Sequence, residues 1–180
     1  FDDTNYKTSG GLHGVGSSVV NALSKLMEVK VSRDGCVYYD SYERGIPTTK
    51  LTKGMLPIIS KTKETGTEIH FLPDDEIFEK TVFKEDAVKS RLHETAYLNP
   101  ELTIYYEDQR PATAETVVFH EPEGIKAYVA ELNSGQEAVT PIIYFKDELS
   151  GSQLECCIQF VDAFEENIHG FCNNIYTQEG

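Results

Sequence analysis

Positive charge is what this chain has least of: 16 lysines and arginines face 30 aspartates and glutamates, a net charge of −14. Its surface as a whole repels nucleic acid, and a direct grip on DNA would need a local basic patch that the sequence does not display. Cysteine is scarce as well. Cys36, Cys156, Cys157 and Cys172 form neither a C-x-x-C pair nor a Cys/His cluster, which excludes a zinc knuckle and a disulfide framework and fits a reducing cytoplasm. No run of about 18 apolar residues occurs, and Phe1 to Asn5 is polar and acidic, so neither a membrane span nor a signal peptide is expected. There is no starting methionine, and Thr177-Gln178-Glu179-Gly180 carries no terminating pattern; the expectation is an excerpt from a longer protein. Hydrophobic residues still make up 39%, enough for a packed core in one domain or two small pieces.

Against these absences stands one dense stretch. Gly10, Gly11, Gly14 and Gly16 fall within seven residues and run into the apolar positions Val15, Val19, Leu23 and Leu26, widened by Val20 and Met27. The spacing predicts a loop feeding a helix, with Ser17 and Ser18 as candidate caps. Glycines permit positive φ and close backbone approach, and the unpaired amides of a helix's first turn suit an anion. Gly11-x-x-Gly14-x-Gly16 is neither the dinucleotide G-x-G-x-x-G nor a P-loop, since Ser17 stands where a P-loop needs lysine. By spacing alone, a plain hinge remains the commoner reading of such a turn.

The full string, Tyr6-Lys7-Thr8-Ser9-Gly10-Gly11-Leu12-His13-Gly14-Val15-Gly16 through Ser24, closely resembles the ATP-lid motif of the GyrB/ParE subunits of bacterial type II topoisomerases. These belong to the GHKL ATPases. The resemblance implies that Gly11, Gly14 and Gly16, with Leu12 and Val15 between them, hold the phosphates of ATP through backbone amides. Tyr6 matches the family residue that reaches the nucleotide from the lid. Lys7 could add charge to the triphosphate or be a solvated loop lysine, and the His13 imidazole could donate to a phosphate or simply fix the loop.

A second match lies in Thr65-Gly66-Thr67-Glu68-Ile69-His70-Phe71-Leu72-Pro73, a turn and a short strand stopped by proline. The resemblance places Thr67 under the adenine, although a threonine after a turn glycine is otherwise an ordinary strand residue. Arg33, beside the Asp34-Gly35 turn, matches an arginine at the outer edge of the pocket that meets aminocoumarin inhibitors.

The remaining pattern alternates. Glu28 to Arg33 and Cys36 to Tyr42 read as a hairpin, Thr48 to Ser60 as a third strand with a loop, Lys84 to Leu98 as a helix, and Leu102 to Glu107 and Val117 to His120 as strands. Ile125 to Leu132 reads as another helix; Ile142 to Phe145 and Leu154 to Phe160 follow as strands, with Asp147 to Gln153 as the turn between them. The fold class is α+β: a GHKL (Bergerat) half-domain with a mixed sheet and helices on one face over residues 1–123, then the start of a ribosomal S5 domain 2-like transducer over 124–180. That boundary comes from the resemblance.

In the family a glutamate general base, an asparagine for Mg2+ and an Asp-Gly-x-Gly segment precede the lid, and none of these occurs here. The chain therefore supplies no catalytic residue and no metal ligand, and alone it is expected to be inactive. The resemblance implies ATP and Mg2+ as cofactors of the parent. As partners it implies DNA, a GyrA-type subunit in a heterotetramer, and a second GyrB-type subunit on ATP binding. Within the family the gyrase branch is favoured over ParE of topoisomerase IV; the competing class is a non-catalytic nucleotide-binding or interaction module.

Overall fold

A computed structural model describes residues 15–164 and 166–177. The chain forms two compact units, Phe1–Val82 and Phe83–Gly180. In the first, α1 (Gly16–Ala22) leads into β1 (Ser24–Arg33), β2 (Cys36–Glu43), β3 (Ile46–Pro47), β4 (Ile58–Lys61) and β5 (Gly66–Pro73). β1 is central, with β5 on one side and β2 on the other, while β3 and β4 both pair with the outer edge of β2. All ladders among the described residues are antiparallel.

The structure corrects two expectations in this unit. The helix predicted through Met27 stops at Ala22, because the chain pairs with β5 from Ser24 and with β2 as well from Met27. Two ladders satisfy the backbone better than one more helical turn, so tertiary pairing overrides the periodicity of Leu23 and Leu26. Ser17 and Ser18 are not caps: they lie inside α1, whose N-cap is Val15 with no side-chain cap bond. Thr48 to Ser60 does hold a loop and a strand, with the loop first. Lys53 and Gly54, both at positive φ, turn the chain so that Thr52 and Met55 form an isolated bridge, and regular pairing resumes only at Ile58, after Pro57.

Register assigns the two faces of the sheet. On one lie Met27, Val29, Val31 and Arg33 of β1, opposite Phe71, Ile69 and Thr67 of β5 for the first three. On the other lie Glu28, Lys30 and Ser32, opposite His70, Glu68 and Gly66. This second face is polar and paired: Lys30 Nζ meets Glu68 at 2.7 Å, and Glu28 accepts from Tyr39 at 2.6 Å and lies 3.2 Å from His70 Nδ1. On the first face only Met27 is buried; Ile69 remains 54% exposed and Phe71 39%.

The second unit holds α2 (Glu85–Leu98), the hairpin β6 (Ile104–Glu107) and β7 (Thr116–Phe119), α3 (Ile125–Leu132), the hairpin β8 (Ile143–Leu149) and β9 (Ser152–Ile158), and the short pair β10 (Phe171–Cys172) and β11 (Ile175–Tyr176). The β8–β9 turn is tighter than the Asp147 to Gln153 link expected from sequence. Only Ser150 and Gly151, both at positive φ, connect the strands, as a two-residue turn matching strand twist requires. Ala96, Tyr97 and Phe119 are the buried apolar residues of this unit. His93 stacks on Tyr97 at 4.4 Å, and Tyr97 on Tyr128 at 5.1 Å. Among the described residues no helix is long and apolar enough to cross a membrane.

Asp108 and Arg110 close the loop after β6. The Arg110 guanidinium and its backbone N–H both donate to the Asp108 carboxylate, and Arg110 Nη1 also donates to the Phe83 carbonyl at 2.8 Å. These bonds, the side-chain one foremost, hold the Asp108 carboxyl down to about 2. A carboxyl depressed on folding stabilises above its unfolded value of about 4 and loses that contribution as pH falls towards its folded value. Urea denaturation between about pH 4 and 2 should therefore show stability falling with acid, and Asp108→Asn should flatten that slope. An unchanged slope in the variant would refute the assignment.

Candidate functional site

Of the residues singled out from sequence, Tyr6, Lys7, Gly11, Leu12, His13 and Gly14 lie outside the described residues. Val15 and Gly16 stand at the start of α1, with Val15 54% exposed. Gly16 is helical rather than at positive φ, and a Cβ added there would meet nothing within 4 Å, so the positive-φ argument does not apply to it. Alanine would favour the helix by about 1 kcal/mol. Among the described residues no steric reason for glycine is found at this position.

Thr67 is exposed on β5, directly opposite Val31. By strand alternation its side chain shares a face with Ile69, Val29 and Arg33. The structure thus brings Thr67 and Arg33 to the same face at the same end of the sheet, next to uncovered aliphatic surface. Arg33 makes an exposed contact with its neighbour Asp34, at 3.3 Å. A hydroxyl beside flat apolar surface fits a planar heterocycle: the base stacks on aliphatic carbon while its polar edge meets the hydroxyl.

A shallow groove of about 530 Å³ also borders Thr67, but its walls from β1 and β2 are Lys30, Ser32 and Val37. Those residues belong to the polar face, so the groove is a separate feature. Among the described residues no three His, Cys, Asp or Glu side chains gather as a metal site.

Sequence reasoning missed the most buried charge among the described residues of the first unit. Asp74, 1% exposed, follows β5 and accepts from Arg44 Nε at 2.6 Å and Nη2 at 3.2 Å, and from the Glu76 amide at 3.0 Å. The Arg44 guanidinium, and after it the Glu76 N–H, hold its carboxyl below the usual carboxylate range. Thirty residues separate the partners, and neither periodicity nor motif links them; the only local hint was a charge directly after the strand-ending Pro73.

The family model for DNA gyrase B matches residues 124–180. The DNA topoisomerase 4 B subunit of Streptococcus pneumoniae is 46% identical over 182 residues, covering 100% of this chain and 27% of the relative. The DNA gyrase B protein of Halalkalibacterium halodurans is 45% identical over 183 residues, covering 100% and 28%. Among solved structures, the 43K ATPase domain of Thermus thermophilus gyrase B, in complex with an aminocoumarin, superposes with a TM-score of 0.77 at 28% identity, over 91% of this chain and 44% of that one.

The chain belongs to the GyrB/ParE family. It spans about a quarter of the length of the curated relatives it matches. The GyrB/ParE assignment covers both branches, since 46% against 45% does not separate topoisomerase IV from gyrase. The α+β fold is that of the family's ATPase domains.

Proposed function

We propose that this chain is the part of a type II topoisomerase ATPase subunit that closes over ATP, and that the whole subunit couples nucleotide binding to DNA strand passage. The observation that carries this is the uncovered apolar face holding Thr67 and Arg33 together, in a chain whose Tyr6 to Ser24 string resembles the ATP lid. In this reading the adenine lies against Val31 and Ile69, with the Thr67 hydroxyl at its polar edge. Gly11, Gly14 and Gly16 hold the phosphates through amides, with Tyr6, Lys7 and His13 alongside and Arg33 at the rim.

ATP supplies the free energy of the cycle. Residues of the parent outside this chain provide the general base and hold Mg2+. Residues 1–123 then complete the ATPase domain and 124–180 begin the transducer, a division supported by the gyrase B match starting at residue 124. A GyrA-type subunit, a second copy of the GyrB-type protein and DNA are the partners, the compartment is the cytoplasm, and the gyrase branch is our choice within the family.

The test is titration of a full-length subunit carrying this chain with a non-hydrolysable ATP analogue. Gly14→Ala and Thr67→Ala should each weaken binding roughly tenfold, the cost of one well-made polar contact. Unchanged affinity in Gly14→Ala would sink the phosphate role. Absence of saturable binding in the unsubstituted protein would favour the non-catalytic module.

A further inference from the structure

α1 is poorly held for an element at a binding site. It has seven residues, none of them buried, and Val15, Val19 and Val20 are all substantially exposed. Among the described residues its ties are concentrated at one end. The Asp74 amide donates to the Leu23 carbonyl at 3.1 Å, and the Arg44 amide donates to the next carbonyl, that of Ser24, also at 3.1 Å. Ser24 Oγ, buried, returns a bond to the Val20 carbonyl at 2.6 Å. The turn at Arg44 and Gly45, both at positive φ, presses against the helix: a Cβ on Gly45 would lie 3.3 Å from the Ala22 Cα.

Two residues thus grip consecutive carbonyls at the helix exit, and the same two are joined by the fork of Arg44 on the buried Asp74 carboxylate. Asp74 also follows directly on β5, the strand that carries Thr67. A buried ion pair adds little net stability compared with a well-packed apolar pair; what it fixes is direction, through two defined N–H···O bonds. We propose that the Arg44–Asp74 pair is a positioning device for the nucleotide site, setting the exit of α1, and with it Gly16 at its start, at a fixed angle to the Thr67 strand. This rests on the nucleotide reading above.

Titration of the full-length subunit with a triphosphate analogue and with ADP tests it. Arg44→Lys keeps the charge and half-exposed setting but loses the fork, so the fold should persist. It should weaken the triphosphate analogue roughly tenfold and ADP by a smaller factor, because Gly16, which α1 carries at its start, is assigned to the phosphates in the nucleotide reading. Asp74→Asn should act in the same direction, and thermal melts of both variants identify any loss that comes from unfolding. Equal weakening of both ligands, or no weakening in Arg44→Lys, would overturn the positioning role while leaving the site intact. Failure of the unsubstituted protein to bind the analogue would overturn both.

Discussion

Tyr97→Ala should destabilise the second unit by about 3–5 kcal/mol, the cost of removing a large aromatic from a packed interior. Tyr97 is 4% exposed and sits between rings, with His93 at 4.4 Å on one side and Tyr128 at 5.1 Å on the other. Its hydroxyl donates to Glu131 of α3. The ring therefore joins α2 to α3, and its loss leaves a cavity between His93 and Tyr128. His93 would lose its stacking partner while keeping the 2.8 Å contact of its Nε2 with Glu121. Tyr97→Phe separates the two parts of the effect: it keeps the ring and drops only the hydrogen bond, so its cost should be near 1 kcal/mol. Urea denaturation of the full-length subunit, read by hydrogen exchange in α2 and α3, measures both. A Tyr97→Ala cost no larger than that of Tyr97→Phe would mean that the ring is not the keystone of this unit.

What the sequence disclosed about the fold was mostly local chemistry. Asp34 and Gly35 announced the β1–β2 hairpin because both residues must take positive φ, and Lys84 to Leu98 announced α2 through its spacing and the acidic Glu85 and Asp86 in its first turn. The errors came where long-range pairing decided the outcome. Leu23 and Leu26 fit a helical stripe, yet the first ends up as the C-cap of α1 and the second in β1, because β5 approaches from some 40 residues away. The site divided in the same manner. Thr67 was singled out by its Gly-Thr strand string, whereas its shared face with Arg33 depended on a ladder register, and the Arg44–Asp74 pair depended on the meeting of two chain turns that no periodic signal encodes.

The same contrast governs Gly124, where a second large effect is expected. Gly124 is the N-cap of α3, with φ 58° and ψ −133°, a backbone region that residues with a Cβ scarcely enter and that costs roughly 1–3 kcal/mol when they do. Space is closed as well. A Cβ there would lie 2.9 Å from Pro100 Cγ and 3.5 Å from the Tyr97 carbonyl oxygen, so the ring of a conformationally stiff proline would have to move. Gly124→Ala should therefore cost about 2–4 kcal/mol, strain and clash together. A double-mutant cycle tells the terms apart. Pro100→Ala removes the clashing Cγ but not the strain, so adding it to Gly124→Ala should recover part of the loss and leave roughly 1–3 kcal/mol. Full recovery would show that only the contact matters; no recovery would show that backbone strain alone sets the turn. Partial recovery would establish Gly124 as a fixed elbow, holding the first residue of α3 against the end of α2 at the position where the proposed transducer segment begins.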